Sequence, residues 1–244
     1  MAVLFAVSAP SGRFSTDVIA GRDENFSWEY AWSIVPEIGR GLYTTVRVTA
    51  MAAVIMFSLG LVLAVLRRSH LRIVRWPTRF VIEFIRSTPI LVQFTFLLAM
   101  ARALPGVSLS GIQIAFIGLG VHYATYASEA YRAGIDSVPK GQWEAATALN
   151  LSPATTWVRV VIPQAIPNVL PTLGNYLIAS LKDAPIAGPV LGVPGIMFAA
   201  NTLRADTFRQ SEPFLVAGVG FLLVSIPAAW LVRRLEKRVA YERT

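Results

Sequence analysis

Cysteine is absent from these 244 residues, and histidine occurs only at His70 and His122. This excludes disulfides, thiol chemistry and thiolate-held metals, and two isolated imidazoles make a poor metal-ligand set. Charge is scarce too: 15% of the residues are charged, against about 25% in ordinary soluble domains. No GxxxxGK(S/T) phosphate loop occurs, and Gly118-Leu119-Gly120 is embedded in an apolar run, so the chain carries no nucleotide-hydrolysing motif of its own. Neither HExxH nor a serine patterned with His and Asp is present, which argues against an intramembrane hydrolase. The sequence therefore offers no catalytic residue, no cofactor site and no metal site.

What the chain has in abundance is apolar length. Hydrophobic residues make up 55% of it and mean hydropathy is +0.56, which suits helices that each place roughly 20 apolar residues across a bilayer. The expected fold class is an all-α membrane protein. A net charge of +8 would suit nucleic acid, but the basic residues flank apolar runs and form no stripe. They read as loops beside a membrane, with no nucleic-acid interface.

Five spans are expected. Residues 1–27 read as an amino-terminal extension, either disordered or arising from a misassigned start. The apolar patch Ala2–Ala9 within it is too short to span and lacks the basic flank of a signal peptide. The transmembrane domain then covers 28–244, opening with an interfacial helix at Trp28–Ile38 whose Trp and Tyr suit the headgroup boundary. The first span is Gly41–Leu66, followed by Arg67–Phe80 with five arginines and no acid. Glu83 and Arg86 share a helix face and can neutralise each other. Pro89 should break the helix entered at Phe80, leaving a second span near Thr88–Leu104.

The third span falls within Gly106–Tyr131 and carries His122, Tyr123, Tyr126 and Glu129. Such residues usually face a bundle interior, and His122 reads as a packing or hydrogen-bonding residue. The fourth span, Val160–Leu181, is uncharged over 22 residues and should be bent by Pro163, Pro167 and Pro171, which recur every four residues on one face. Ala184–Leu203, interrupted by prolines and glycines, reads as re-entrant, and the last span is Pro213–Val232. With five spans, segments 67–79, 132–159 and 233–244 share a side and hold 13 Lys and Arg, against 7 in the longer opposite segments. Positive charge collects in the cytoplasm, so the amino terminus is expected outside and the carboxyl terminus inside.

One polar stretch, Ser137–Gln164, sits between these runs on the cytoplasmic side. Ser137 can cap a helix with Pro139 in its first turn, running to Leu149, with Asn150 in the left-handed terminating position. Ser152 can cap a second helix with Pro153 at its first position. Ala145, Ala146 and Ala148 keep the first helix slender enough for a partner's groove, with Trp143 and Leu149 as anchors. A solvated loop lying on its own bundle is the equal alternative from the local pattern.

Glu144-Ala145-Ala146, then Asn150, then Val160-Val161-Ile162-Pro163 resemble the EAA signature of ABC-importer permeases, usually EAA, three residues, Gly, nine residues and I-x-L-P. Asn150 stands for the usual glycine, and asparagine is the next best residue for a left-handed turn. Gly41-Leu42-Tyr43-Thr44-Thr45, the run Phe84–Gln93 and Tyr131-Arg132-Ala133-Gly134-Ile135 are similar to phrases of the polar amino-acid permease group. The resemblance covers about residues 28–240. His122-Tyr123 and Trp143–Asn150 look closest to permeases of ectoine and hydroxyectoine importers, whereas the residues after Lys182-Asp183 depart from the group's usual pattern.

The resemblance implies a type I ABC-importer permease fold in a bacterial inner membrane, passing through it several times among lipid. It implies a cytoplasmic ATPase dimer, a second homologous permease subunit and an extracytoplasmic solute-binding protein as partners, and a small polar solute as cargo. It also implies that the loop at about 137–163 couples to the ATPases through Glu144, Ala145, Ala146, Leu149, Asn150, Leu151 and Pro163. Candidate substrate-pathway residues, chosen because a zwitterion needs both charges and aromatic surface met, are Arg86, Tyr123, Tyr126, Glu129, Lys182 and Asp183. The alternative is a secondary transporter driven by an ion gradient, yet five unlike spans supply no inverted repeat.

Overall fold

The computed structural model describes residues 26–106 and 108–241, with side chains as far as residue 234. All but the last two residues of the expected extension lie outside the described residues. Every regular element among those described is helical.

The chain enters through α1, Trp28–Ser33, capped by Ser27, whose Oγ accepts from the Tyr30 amide at 3.2 Å. After a one-residue break, α2 runs over Val35–Leu66. The expected interfacial helix Trp28–Ile38 is therefore divided, Trp28–Ser33 forming α1 and Val35–Ile38 the first turn of a 32-residue rod, where Pro36 presets a helical φ at a position that needs no N–H partner. The next two helices, α3 (Arg72–Arg86) and α4 (Ile90–Ala103), meet at 109°. Pro89 sits at the break in extended conformation. Gln93 Nε2 donates to the carbonyls of Ile85 (2.7 Å) and Thr88 (2.9 Å) at the break, the first of which also accepts from the Thr88 amide (3.2 Å).

Helix α5, Gly111–Asp136, opens with a capping box between Ser110 and Gln113 and forms the centre of the bundle. It packs along α2, and two glycines allow the close approach. A Cβ on Gly60 would lie 2.7 Å from the Ala127 Cβ, and one on Gly120 would lie 2.6 Å from the Ile55 Cβ. Met56, Ala115 and Leu119 lie in this core, joined by Phe94 of α4, and all four are almost wholly buried. Where lipid offers no hydrophobic gain for helix pairing, such small-residue contacts supply the van der Waals attraction that holds helices together.

After α6, Lys140–Ala148, a single turn at Pro153–Thr155 and a π-helical stretch at Thr156–Val161 lead into α7, Ile162–Asp183. Pro163, Pro167 and Pro171 withhold three N–H groups here. Side-chain amides serve nearby carbonyls, Gln164 Nε2 donating to Val160 (2.9 Å) and Asn168 Nδ2 to Gln164 (3.4 Å). The segment expected to be re-entrant forms a 3-10 turn, a short α8 (Ala187–Leu191) and, after Gly192 in left-handed conformation, α9 (Ile196–Thr207). Thr45 of α2 reaches across to cap α9, its Oγ1 accepting from the Ile196 amide at 3.0 Å.

The last helix, α10, spans Ser211–Tyr241. Its Glu212 is completely buried and accepts from the Ser27 amide (3.1 Å) and from Arg209 (2.7 Å), which fastens α1 to the start of α10.

By length and composition α2 and residues 211–234 of α10 can each cross a membrane. Two bent pairs, α3 with α4 and residues 153–191 with α9, qualify only when each pair is taken together, the second bending by 44°. Helix α4 has only 14 residues, short of the ~17 a lone span needs. Helix α5 has 26, and its more polar sequence is matched by a position enclosed by other helices.

Candidate functional site

Two arrangements bear on function, and both are built around polar residues in an apolar frame. The first lies between α5, α7 and the α3–α4 corner. Successive turns of α5 stack His122, Tyr123 and Tyr126 into an aromatic cluster, with ring centroids 5.2 Å apart for His122–Tyr123 and 5.9 Å for Tyr123–Tyr126. Tyr176 of α7 joins it, 5.6 Å from Tyr126.

A charge of each sign flanks the cluster. The Arg86 guanidinium carbon lies 5.0 Å from the Tyr126 ring centroid, a cation–π distance. On the other side, the Tyr123 hydroxyl donates to Asp183 Oδ2 at 2.7 Å. Arg86 is only loosely engaged by Glu83, at 4.0 Å, so its partner on this face is the tyrosine. His122 Nδ1 lies 3.2 Å from Gln93 Oε1, which links the cluster to the Pro89 break. The niche thus presents a cation, a carboxylate and π-surface together, with Tyr123 buried and Arg86, Tyr126, Tyr176 and Asp183 half-buried.

Four of the six expected pathway residues, Arg86, Tyr123, Tyr126 and Asp183, come together there. Glu129 does not join them: Arg67 and Arg132 hold it in ion pairs one turn further along α5. Lys182 points elsewhere, exposed beside a hollow lined by Pro185, Met197 and Phe214. Gln93 and Tyr176 were not anticipated. Gln93 lies beside the legible signal of Pro89, and Tyr176 is about two helical turns before Asp183 on the same helix.

The second arrangement is the polar corner. Helix α6 ends in a Schellman motif: the Leu151 amide donates to the Ala146 carbonyl (3.0 Å) and the Asn150 amide to that of Thr147 (2.9 Å). Asn150 takes the expected left-handed conformation, with φ 55°. Ser152 caps the next turn as expected, accepting from the Thr155 amide. Ser137 does not cap α6. It terminates α5, its hydroxyl donating to the Gly134 carbonyl and accepting from Asn168 Nδ2 at 2.6 Å, and Pro139 stands at the N-cap of α6 instead.

Burial sorts the faces of α6. Ala146 is 3% exposed, and Trp143 packs edge-on against Trp157 at 5.4 Å, above Val138, Val161 and Ala165. Trp143 is therefore an internal clamp and not an outward anchor. Glu144, Ala145, Asn150 and Pro163 are exposed, Leu151 is half-buried, and Leu149 is 73% exposed. Leu149 thus projects from a corner that is clamped to its own bundle through Trp143 and Ala146.

A helical bundle with a charged aromatic niche at its centre and a rigid polar corner at one end has the make-up of a membrane transport subunit. The family of binding-protein-dependent transport system inner membrane components matches residues 56–241, and the chain belongs to it, as a permease subunit of an ABC transporter and not an enzyme. It is 39% identical to the probable amino-acid ABC transporter permease protein y4tG of Sinorhizobium fredii (strain NBRC 101917 / NGR234), over 85% of this chain and 92% of that one. It is 32% identical to the probable glutamine ABC transporter permease protein GlnM of Bacillus subtilis (strain 168), over 82% and 91%. Among solved structures, an amino acid ABC transporter crystallised with histidines superposes with a TM-score of 0.81 at 29% identity, covering 88% of this chain and 99% of that one. An inward-facing MetNI methionine ABC transporter shares the fold, with a TM-score of 0.70 at 18% identity over the same shares.

Proposed function

We propose that this chain is the permease subunit of an ATP-driven importer for a polar amino acid or an amino-acid-like zwitterion such as ectoine or hydroxyectoine. The observation that carries the reading is the niche in which Arg86 and Asp183 flank Tyr123, Tyr126 and Tyr176. A solute with a carboxylate and a cationic group needs both signs met at low dielectric, and tyrosine faces suit its cation. The amino-acid names carried by the relatives support the same solute class.

In this reading the chain crosses the inner membrane five times, with the amino terminus outside and the polar corner in the cytoplasm. It works beside a second permease subunit and receives solute from an extracytoplasmic binding protein. The exposed face of α6, with Glu144, Ala145 and Leu149, seats in a groove of a cytoplasmic ATPase dimer, while Ala146, Asn150, Leu151 and Pro163 hold its shape. Closure of the ATPases pulls on α6, and the Trp143–Trp157 clamp passes that motion into α7 and so to Tyr176 and Asp183.

The test is uptake into proteoliposomes containing the assembled transporter and the binding protein encoded beside it. Labelled glutamine, arginine and ectoine are supplied outside, with either ATP inside or an imposed ion gradient. ATP should drive uptake with all gradients collapsed by ionophores. Uptake driven by a gradient alone would refute the ATP-coupled reading, and failure of every zwitterion to enter would refute the solute class.

A further inference from the structure

Where α2 ends and α5 finishes, the bundle carries a concentration of arginine that the transport reading leaves unused. Arg67, Arg68, Arg75, Arg79, Arg132 and Asp136 line an open hollow of about 270 Å³. The carboxylates of Glu129 and Asp136 engage Arg67, Arg68 and Arg132. Among the described residues no ion pair involves Arg75 or Arg79, so five guanidinium groups there share two carboxylates. The Nε groups of Arg67 and Arg75 are buried without a hydrogen-bond partner, and a buried donor left unmatched is costly. The hollow is therefore short of acceptors as well as of negative charge.

An apolar groove adjoins it. Leu61 and Val65 of α2, Ile135 of α5, Trp157, and Ile166 and Val169 of α7 line a trough of about 680 Å³, and Arg68 belongs to both trough and hollow. A third feature flanks the hollow: α3 is two-faced. Arg72, Arg75 and Arg79 follow one stripe of it, while Ile73, Trp76, Phe80 and Phe84 follow the next and are 63–82% exposed. That is the pattern of a helix lying in the membrane interface, with aromatic and aliphatic side chains in the acyl region and arginines at headgroup level.

We propose that the arginine hollow and the adjoining trough together form a binding site for one anionic phospholipid, with the headgroup phosphate held by Arg67, Arg75 and Arg79 and an acyl chain lying along Val65, Ile135 and Ile166. A phosphate supplies the missing acceptors in a geometry that guanidinium groups match. The apolar trough excludes a free inorganic anion as the sole occupant, because such an ion leaves the trough uncovered. Anionic lipid is drawn to basic segments beside membrane helices, and here a shaped site would retain a single molecule of it. Arg67 and Arg132 also hold Glu129, so the lipid would stabilise the end of α5 from which the polar corner departs.

The experiment is native mass spectrometry of the full chain released from nanodiscs of equal phosphatidylglycerol and phosphatidylcholine. One phosphatidylglycerol should be retained per chain. Replacing both Arg75 and Arg79 by Gln should reduce its retention about 30-fold, the factor for two basic residues beside a membrane surface, and leave phosphatidylcholine unchanged. Arg75→Lys with Arg79→Lys, which keeps the charges but loses the guanidinium fork, should retain more lipid than the Gln pair and less than the unaltered chain, and guards against a folding defect. Val65→Trp, which fills the trough from an exposed position, should also release the lipid. Equal retention of the two lipids, or displacement of phosphatidylglycerol by millimolar inorganic phosphate, would overturn the proposal. So would a Val65→Trp chain that loses self-association yet keeps its lipid, since the trough would then be a contact between copies.

Discussion

Ala145 and Ala146 are neighbours with opposite surroundings, and exchanging each for arginine separates coupling from folding. Ala145 is exposed on α6, so Ala145→Arg should change stability by no more than about 0.5 kcal/mol. If that face sits in an ATPase groove, an unmatched guanidinium there costs roughly 2 kcal/mol or more of docking, about 30-fold in affinity. Ala146 is 3% exposed and lies over the cluster of Val138, Val161 and Ala165. Ala146→Arg must overfill that cluster and bury a charge without a partner, at a cost of about 3–5 kcal/mol. The assay pairs the amount of folded chain in the membrane fraction with ATP-dependent uptake and with ATPase co-purification. Ala145→Arg should reach the membrane at the normal level, lose uptake and release the ATPase; Ala146→Arg should scarcely accumulate. Unaltered uptake by Ala145→Arg would refute the coupling assignment. Equal accumulation of the two variants would refute the sorting of faces.

Three further outcomes are expected. Asn150→Gly should leave the thermal transition of the purified chain within a degree or so of its original position, whereas Asn150→Val should destabilise it by roughly 1–2 kcal/mol, because a β-branched side chain resists φ near +55°. Tyr123→Phe removes the hydrogen bond to Asp183 and should raise the KM for solute about tenfold, the size of a hydrogen bond to a charged group, with basal ATP hydrolysis unchanged. Gly120→Leu places a side chain where even a Cβ lies 2.6 Å from Ile55, so the chain should fail to accumulate in membranes, as measured by immunoblot.

Local chemistry carried much of the polar corner. Asn150, Ser152 and Pro153 act through their own backbone and the next few residues, which is why their roles could be read in order along the chain. Ser137 misled because it is competent for two local jobs, and the helix before it claimed it first. The break at Pro89 was legible for the same local reason, but its repair by Gln93 required knowing how far the chain turns, here 109°. The niche was half legible. Spacing along α5 placed Tyr123 and Tyr126 on one face, while Tyr176 arrives from a helix about fifty residues later. Glu129 continues the same spacing, yet Arg67, 62 residues away, diverts it. No periodicity within α5 contains that information, because the competitor lies on another helix.

The cap that Thr45 places on α9 sets a boundary for motion. A helix terminus whose first amide is satisfied by another helix cannot tilt against that helix without exposing a donor in an apolar setting. Together with Glu212, which joins Ser27 and Arg209, it makes α1, α2, α9 and the start of α10 one mechanical block. In the proposed import cycle, motion would be concentrated outside that block, in elements that include the α3–α4 corner and α7 with its three prolines. Those two parts carry Arg86, Gln93, Tyr176 and Asp183, so in that cycle the charged ends of the niche would shift relative to the block.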